Sequence, residues 1–250
     1  IARRQRQMCI RDSANRSTIS KTRIVAGGRT TVSQQIVRVD KESKEPMGKA
    51  QEQQLEEYLK QVLPQVKGVV LSDYGSGTIT DKLLGQIFAY CQEHNIPTIV
   101  DSRYDILRFK TVDYIKQNDA ELSAAIGRDL ATEEELVQGG CELLLKMSAK
   151  GALITRGEDG MSLFQLISPQ EAADYLKSQE GSGSGDFGQF REGLTVKLVV
   201  KRQTGRLSVV QEVISYQDRD ILVSHIPVTD KSEVYDVSGA GDTCVATVIL

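Results

Sequence analysis

The chain is 250 residues long, 40% hydrophobic and 26% charged, with a formal net charge of −3. This is ordinary globular composition with room for one large domain or two small ones, and it has no global basic field to draw nucleic acid. No apolar run is long enough to cross a membrane, and the four cysteines and two histidines lack zinc-ligand spacing. Reduced thiols in a cytoplasmic setting are therefore expected.

Taken in order, Ile1 to Ser13 is basic without the apolar core of a secretory signal. Residues 1–19 are expected to form a disordered or foreign head. Two loosely alternating runs around Gly27-Gly28, between Thr18 and Asp40, read as a hairpin. Leu55, Leu59 and Val62 are helically spaced before Pro64. Gly68 to Asp73 is a short apolar run with a polar end, a buried strand. Tyr74-Gly-Ser-Gly77 turns, and Thr80 caps a helix to about His94. Thr98 to Asp101 and Tyr114 to Lys116 are further strands. Asn118 opens a helix toward Gly127. Thr132 with Glu135 forms a capping box before a helix to Met147. Gly151 to Thr155 is a strand, and Arg156 to Gly160 turns into Met161 to Phe164.

Strands alternating with helices imply βαβ units and a parallel sheet. The ligand site of such a sheet collects at the carboxyl ends of its strands, which here carry Asp73, Asp101, Asn118 and Thr155. The rhythm changes after Gln165. A helix with Pro169 at its first position runs to about Ser178, and Glu180 to Gly185 has linker composition. Leu194–Lys201, Leu207–Ser215 and Ile221–Val228 read as strands of an inserted β-rich flap.

Four stretches carry chemistry. Gly239-Ala240-Gly241-Asp242 precedes an apolar run ending at Leu250. Alone it reads as a glycine turn with an Asp cap. If a helix starts there, its N–H groups form an anion site beside a carboxylate able to take a proton from an attacking hydroxyl. Asn118-Asp119-Ala120-Glu121 reads as a capping box, or as a carboxylate near hydrated magnesium. Thr155-Arg156-Gly157 ends a strand in a turn, where it can meet a nucleotide. Gly75-Ser-Gly77 follows a strand as a dinucleotide fingerprint does, but Thr80 stands where the third glycine belongs.

In this order, Asn118-x-x-Glu121, Thr155-Arg-Gly157 and Asp236-Val-Ser-Gly-Ala-Gly-Asp242-Thr243 resemble the signature of ribokinase-like (PfkB-type) carbohydrate kinases. Lys21-Thr-Arg23, Gln34 to Asp40, Val70 to Gly75 and Thr155 to Phe164 are most similar to the kinase domain of bifunctional heptose-phosphate kinase/adenylyltransferases. The resemblance spans roughly Ser20–Gln165 and Pro227–Leu250. It implies an α/β fold of ribokinase type, a parallel sheet with helices on both faces, a small N-terminal β flap and the β-rich insertion. On this reading residues 20–164 form the core with its flap, 165–226 the insertion, and 227–250 a truncated catalytic segment of the core.

The resemblance further implies phosphoryl transfer from ATP to a sugar hydroxyl, with a phosphorylated heptose as the expected acceptor. Asp242 would be the catalytic base, and Gly239, Ala240 and Gly241 the anion hole. Asn118, Asp119, Ala120 and Glu121 would serve ATP, with Glu121 near Mg2+ through water. Thr155, Arg156 and Gly157 would hold the nucleotide. A small-molecule sugar or sugar phosphate is the expected partner, without nucleic acid or membrane, and a homodimer is an expected assembly. Asp101-Ser-Arg-Tyr104 stands where the heptose kinases have Asp-Pro-Lys-Gly, and Ser76 where they usually have Lys. Two cations near phosphate are thereby lost, and Arg103 is a candidate replacement for one. The early substrate-binding part of the family is absent or replaced by the basic head, so the chain is expected to be a fragment with reduced or no activity. A nicotinamide enzyme using Gly75 and Gly77, and a non-catalytic scaffold of the same fold, are the two alternatives.

Overall fold

Short apolar runs separated by capped helices build the centre of the molecule, as seen in a computed structural model. It describes residues 19–27, 34–42, 47–179, 190–191, 193–204, 207–228 and 240–249. The expectations for the basic head, for the 180–185 linker and for Gly239 fall outside these residues. A two-stranded antiparallel hairpin comes first, β1 (Ser20–Ala26) and β2 (Gln34–Lys41). Then follow α1 (Lys49–Val62), β3 (Val69–Asp73), α2 (Asp81–Glu93), β4 (Thr98–Ser102), β5 (Tyr114–Asn118), α3 (Asp119–Ile126), α4 (Glu133–Met147), β6 (Gly151–Thr155) and β7 (Met161–Ile167). The chain continues through α5 (Pro169–Gln179), β8 (Phe190–Arg191), β9 (Leu194–Thr204), β10 (Leu207–Tyr216), β11 (Arg219–Ile226) and α6 (Ala240–Ile249).

The helix starts follow local chemistry. Thr80 accepts the Leu83 N–H at the head of α2. Reciprocal capping boxes, Asn118 with Glu121 and Thr132 with Glu135, open α3 and α4. Each satisfies two backbone donors that a helix start leaves without a partner. Gly127, at φ +79°, closes α3 in the left-handed conformation.

Nine strands form one mixed sheet in the order β3-β4-β5-β6-β7-β11-β10-β9-β8. The pairs from β3 to β6 are parallel, and those from β6 outward are antiparallel. Thus the β-rich stretch expected as an inserted flap is the outer half of the main sheet. The switch occurs at the Arg156–Gly160 turn. There Gly160 has φ +86°, and a Cβ would lie 2.1 Å from the Ile226 carbonyl oxygen. β7 folds back on β6, and β11 then pairs with β7 from Asp220–Ile167 to Ile226–Met161. Because these partners are far apart in sequence, alternation within each run carries no trace of the pairing.

Helices cover both faces. α4 packs on β6 and β7, where Leu136, Cys141, Leu144 and Met147 join Ile154 and Phe164 in the main core. On the opposite face Ala172 of α5 meets Leu198, Val200 and Val213, and α6 packs on β3 and β4. Among the described residues no helix is long and apolar enough to cross a membrane.

Candidate active site

Four parallel strands, β3 to β6, end side by side, and their register sets the site. Asp73 lies opposite Ser102, Asp101 opposite Lys116, and Asn118 opposite Thr155. Asp73 is buried and fully engaged. Its Oδ1 accepts the Gly75 N–H at 3.0 Å and its Oδ2 accepts the Ser102 hydroxyl at 3.1 Å. This carboxylate therefore shapes the turn after β3. Gly75 has φ +69°, and a Cβ there would lie 2.9 Å from the Tyr104 ring, so the turn requires glycine.

A cleft of about 570 Å³ opens above these strand ends, with Tyr74, Asp101, Lys116, Glu121, Gly241 and Asp242 in its lining. Asn118 and Ala120 contribute from the start of α3, Arg103 and Tyr104 from the segment after β4. Lys116 and Asp101 form an ion pair at 3.1 Å, with side chains only 8% and 16% exposed. Burial pushes the Asp101 carboxyl up; Lys116 pulls it down, and the nearby Asp242 charge pushes it up again. Burial also raises the Tyr74 phenol, and Asp242 and then Asp101 raise it further. Tyr74, Asp101, Asp242 and a buried ammonium thus share one cavity with Glu121.

Asn118 Oδ1 accepts the Glu121 N–H at 2.7 Å, and Glu121 Oε2 accepts the Asn118 N–H at 2.9 Å. The capping box is therefore made, and one carboxylate oxygen of Glu121 is spent on it. Asp119 bonds the Ala120 N–H on the exposed side of α3 and is absent from the cleft lining. Ala240 opens α6, and its next residues, Gly241 and exposed Asp242, reach the cleft.

Thr155, Arg156 and Gly157 lie outside the lining of this cleft. Thr155 is beside Asn118 in register, and its hydroxyl donates to the Gln117 carbonyl at 3.4 Å. The Arg156 guanidinium turns to α4 and donates through both terminal nitrogens to Glu133. His225 Nδ1 approaches the same carboxylate at 3.4 Å. Gly157, at φ +55°, starts the tight turn into β7. At the Gly75–Gly77 turn, the following α2 start is filled by the Thr80 cap and by Asp81 in its first turn.

Lys116 and Tyr74 were not singled out from the sequence as site residues. The legible signal for Lys116 was a charge inside an otherwise buried strand, Tyr114-Ile-Lys116-Gln. Tyr74 gave none beyond following a strand.

The pattern described as pfkB family carbohydrate kinase matches residues 11–183. The chain belongs to this family. Among curated relatives, the bifunctional protein HldE of Hyphomonas neptunium is 37% identical over 148 residues, covering 59% of this chain and 29% of the relative. The bifunctional protein HldE of Syntrophotalea carbinolica is 28% identical over 236 residues, 94% of this chain and 36% of the relative. The chain spans about a third of the length of such relatives. A solved phosphofructokinase-2 of Escherichia coli, in complex with substrates and products, has 24% identity and a TM-score of 0.40 over 53% of this chain and 47% of that one. The pfkB family match spans the hairpin, the parallel strands and all of α5, and stops before α6.

Proposed function

We propose that this chain carries the site of an ATP-dependent sugar kinase whose acceptor is a phosphorylated heptose. One observation carries the reading. Asp242 and the first turn of α6 share a cleft with the Asn118–Glu121 start of α3, at the carboxyl edge of the parallel strands. Family membership and the HldE relatives support the same chemistry.

The roles follow from the charges. Asp242 is exposed to the cleft and accepts the proton of the attacking sugar hydroxyl as the new O–P bond forms. Backbone N–H groups of Ala240 and Gly241 form the anion hole, where fixed donors at the start of α6 meet charge developing on the phosphoryl oxygens; the sequence extends it to Gly239. Asn118 and Glu121 lie where the nucleotide's phosphates enter. The donor set suits magnesium: Glu121 and Asp242 line one cleft, and Mg2+ is commonly held by one or two carboxylates, water and substrate phosphates. Glu121 would hold it, with Asp242 close by, and the ion supplies charge neutralisation when bound.

The hairpin supports an acceptor that already carries phosphate. Lys21, Arg23 and Arg38 share one face with Asp40, and Arg23 lies directly opposite Arg38. Asp40 pairs with Arg38 at 2.9 Å and Glu42 with Lys21 at 3.6 Å, so the like charges are already partly offset and an added anion strengthens that balance. Lys21 lies 4.9 Å from the centre of the Tyr74 ring, at the wall of the cleft. The other face carries exposed Ile24, Val37 and Val39, which a second copy would cover in a homodimer.

The test is ATP consumption against a panel of sugars and sugar phosphates. Asp242→Asn is expected to lower kcat by about 10²–10⁴, the usual contribution of a positioned base. Turnover that survives this change within about tenfold sinks the base assignment.

A further inference from the structure

Tyr104 is 72% exposed, yet its backbone is pinned on both sides. The Arg103 N–H donates to the Asp73 carbonyl at 3.0 Å, and the Asp105 N–H donates to the Ser102 hydroxyl at 3.4 Å. The ring lies against the bare backbone of Gly75, where a Cβ would stand 2.9 Å from it. Ring and glycine therefore fit only as a pair. Tyr104 also stands where the heptose kinases have glycine, so the ring is this chain's own addition. It lines the cleft that Asp242 shares.

A lone exposed aromatic on an open surface needs no explanation. One fixed on a cleft wall, backed by glycine and otherwise uncovered, presents a flat apolar face to whatever enters. That face is electron-rich and attracts groups of positive polarity. The C–H bonds on one side of a sugar ring are such groups, because each carbon also bears oxygen. The Arg103 guanidinium stands beside the platform, 5.6 Å from the ring centre. The matching ligand therefore joins an apolar ring face to an anionic group.

A nucleotide also has a flat ring and phosphates, and position decides between the two. Along the sheet the order is β3, β4, β5, β6. The Asn118–Glu121 and Thr155–Gly157 stretches, assigned to ATP, lie at the ends of β5 and β6. Tyr104 packs instead on the turn after β3, next to Tyr74, whose ring centre lies 4.9 Å from Lys21 of the hairpin. That is the side assigned to the acceptor. Resting on the kinase reading above, we propose that Tyr104 is a specificity-determining residue whose ring is a stacking platform for the C–H face of a phosphorylated sugar in its cyclic form.

The probes are a heptopyranose phosphate and the open-chain heptitol phosphate, which carries the same anion without a ring face. Calorimetry with each, and with AMP-PNP plus Mg2+, compares the wild type with Tyr104→Ala and Tyr104→Phe. The side chain is exposed, so neither change empties the core. The wild type is expected to prefer the cyclic probe. Tyr104→Ala should bind that probe about tenfold more weakly, the scale of one lost aromatic stack. Its affinities for heptitol phosphate and AMP-PNP stay within about threefold, and Tyr104→Phe keeps all three within that range. Equal losses of both sugar phosphates, or a loss in Tyr104→Phe as large as in Tyr104→Ala, overturn the platform. A drop in AMP-PNP affinity alone gives the ring to adenine and overturns it too. If Tyr104→Ala binds every probe as the wild type does, or the wild type binds AMP-PNP but neither sugar phosphate, the platform falls while ATP use stands. A wild type that binds none of the probes sinks the kinase reading and the platform together.

Discussion

Two glycines inside helices should respond to the same substitution with opposite signs. Gly140 in α4 lies under the Phe164 ring, which is fully buried. A Cβ at this position would stand 2.3, 2.5 and 2.7 Å from three ring atoms. Ordinary carbon contacts lie at about 3.5–4.0 Å, so the ring has to shift by more than an ångström with β7 behind it. Overpacking of this severity costs about 3 kcal/mol, the upper end of the usual range. Alanine returns about 1 kcal/mol of helix propensity. Gly140→Ala should therefore destabilise by about 2 kcal/mol and lower Tm by about 4–8 °C for a chain of this size. Gly85 in α2 is exposed and meets nothing within 4 Å, so Gly85→Ala should stabilise by about 1 kcal/mol. Urea titration and thermal melts followed by circular dichroism at the helix band read both. A Gly140→Ala protein as stable as the wild type would refute the packing of α4 on Phe164.

Two further outcomes test the periphery of the site and the opposite end of the sheet. Arg156→Gln breaks the two-pronged contact with Glu133 and should cost up to about 1 kcal/mol of stability; KM for ATP should stay within about threefold, and a rise of tenfold or more would mean that the guanidinium leaves Glu133 for the nucleotide. Burial alone would raise the Asp113 carboxyl, but hydrogen bonds from Lys150 and Thr98 outweigh it and hold it below its usual range. A depressed carboxylate contributes stability that is present above the unfolded pKa, about 3.9, and is lost as pH falls through the lower folded value. Asp113→Asn should therefore be less stable than the wild type at pH 7, with the gap closing as pH drops below about 4; a gap that is constant from pH 7 to pH 2 would show that the charge contributes nothing.

What could be read from the sequence is local. Asn118 with Glu121 and Thr132 with Glu135 announce α3 and α4, because a cap is made within four residues of chain. Thr80 announces α2 in the same way. Apolar runs ending in Asp73 and Asp101, and the strand-like run before Asn118, mark strands whose polar ends must gather at one edge, since parallel strands joined by helices all point the same way. The order of the Asn118–Glu121, Thr155–Gly157 and Gly239–Asp242 stretches is likewise a property of the chain alone.

Other features depend on residues far apart in sequence. Nothing near Arg156 says that its guanidinium turns to Glu133, because that partner is set by where α4 begins relative to the end of β6. Pairing of β11 with β7 follows from the reversal at Gly160 and makes the β-rich stretch part of the main sheet. The cleft follows the same logic. Lys116 meets Asp101 through a β4–β5 register and meets Gly241 through the docking of α6 on β3 and β4. A lysine in a strand is an ordinary residue until the fold removes water from around it and sets a carboxylate and a helix start beside it. Burial and register are collective properties of the packed sheet, so Asn118, Glu121 and Asp242 could be marked as polar groups in advance, but their meeting with a buried ammonium in one cleft could not.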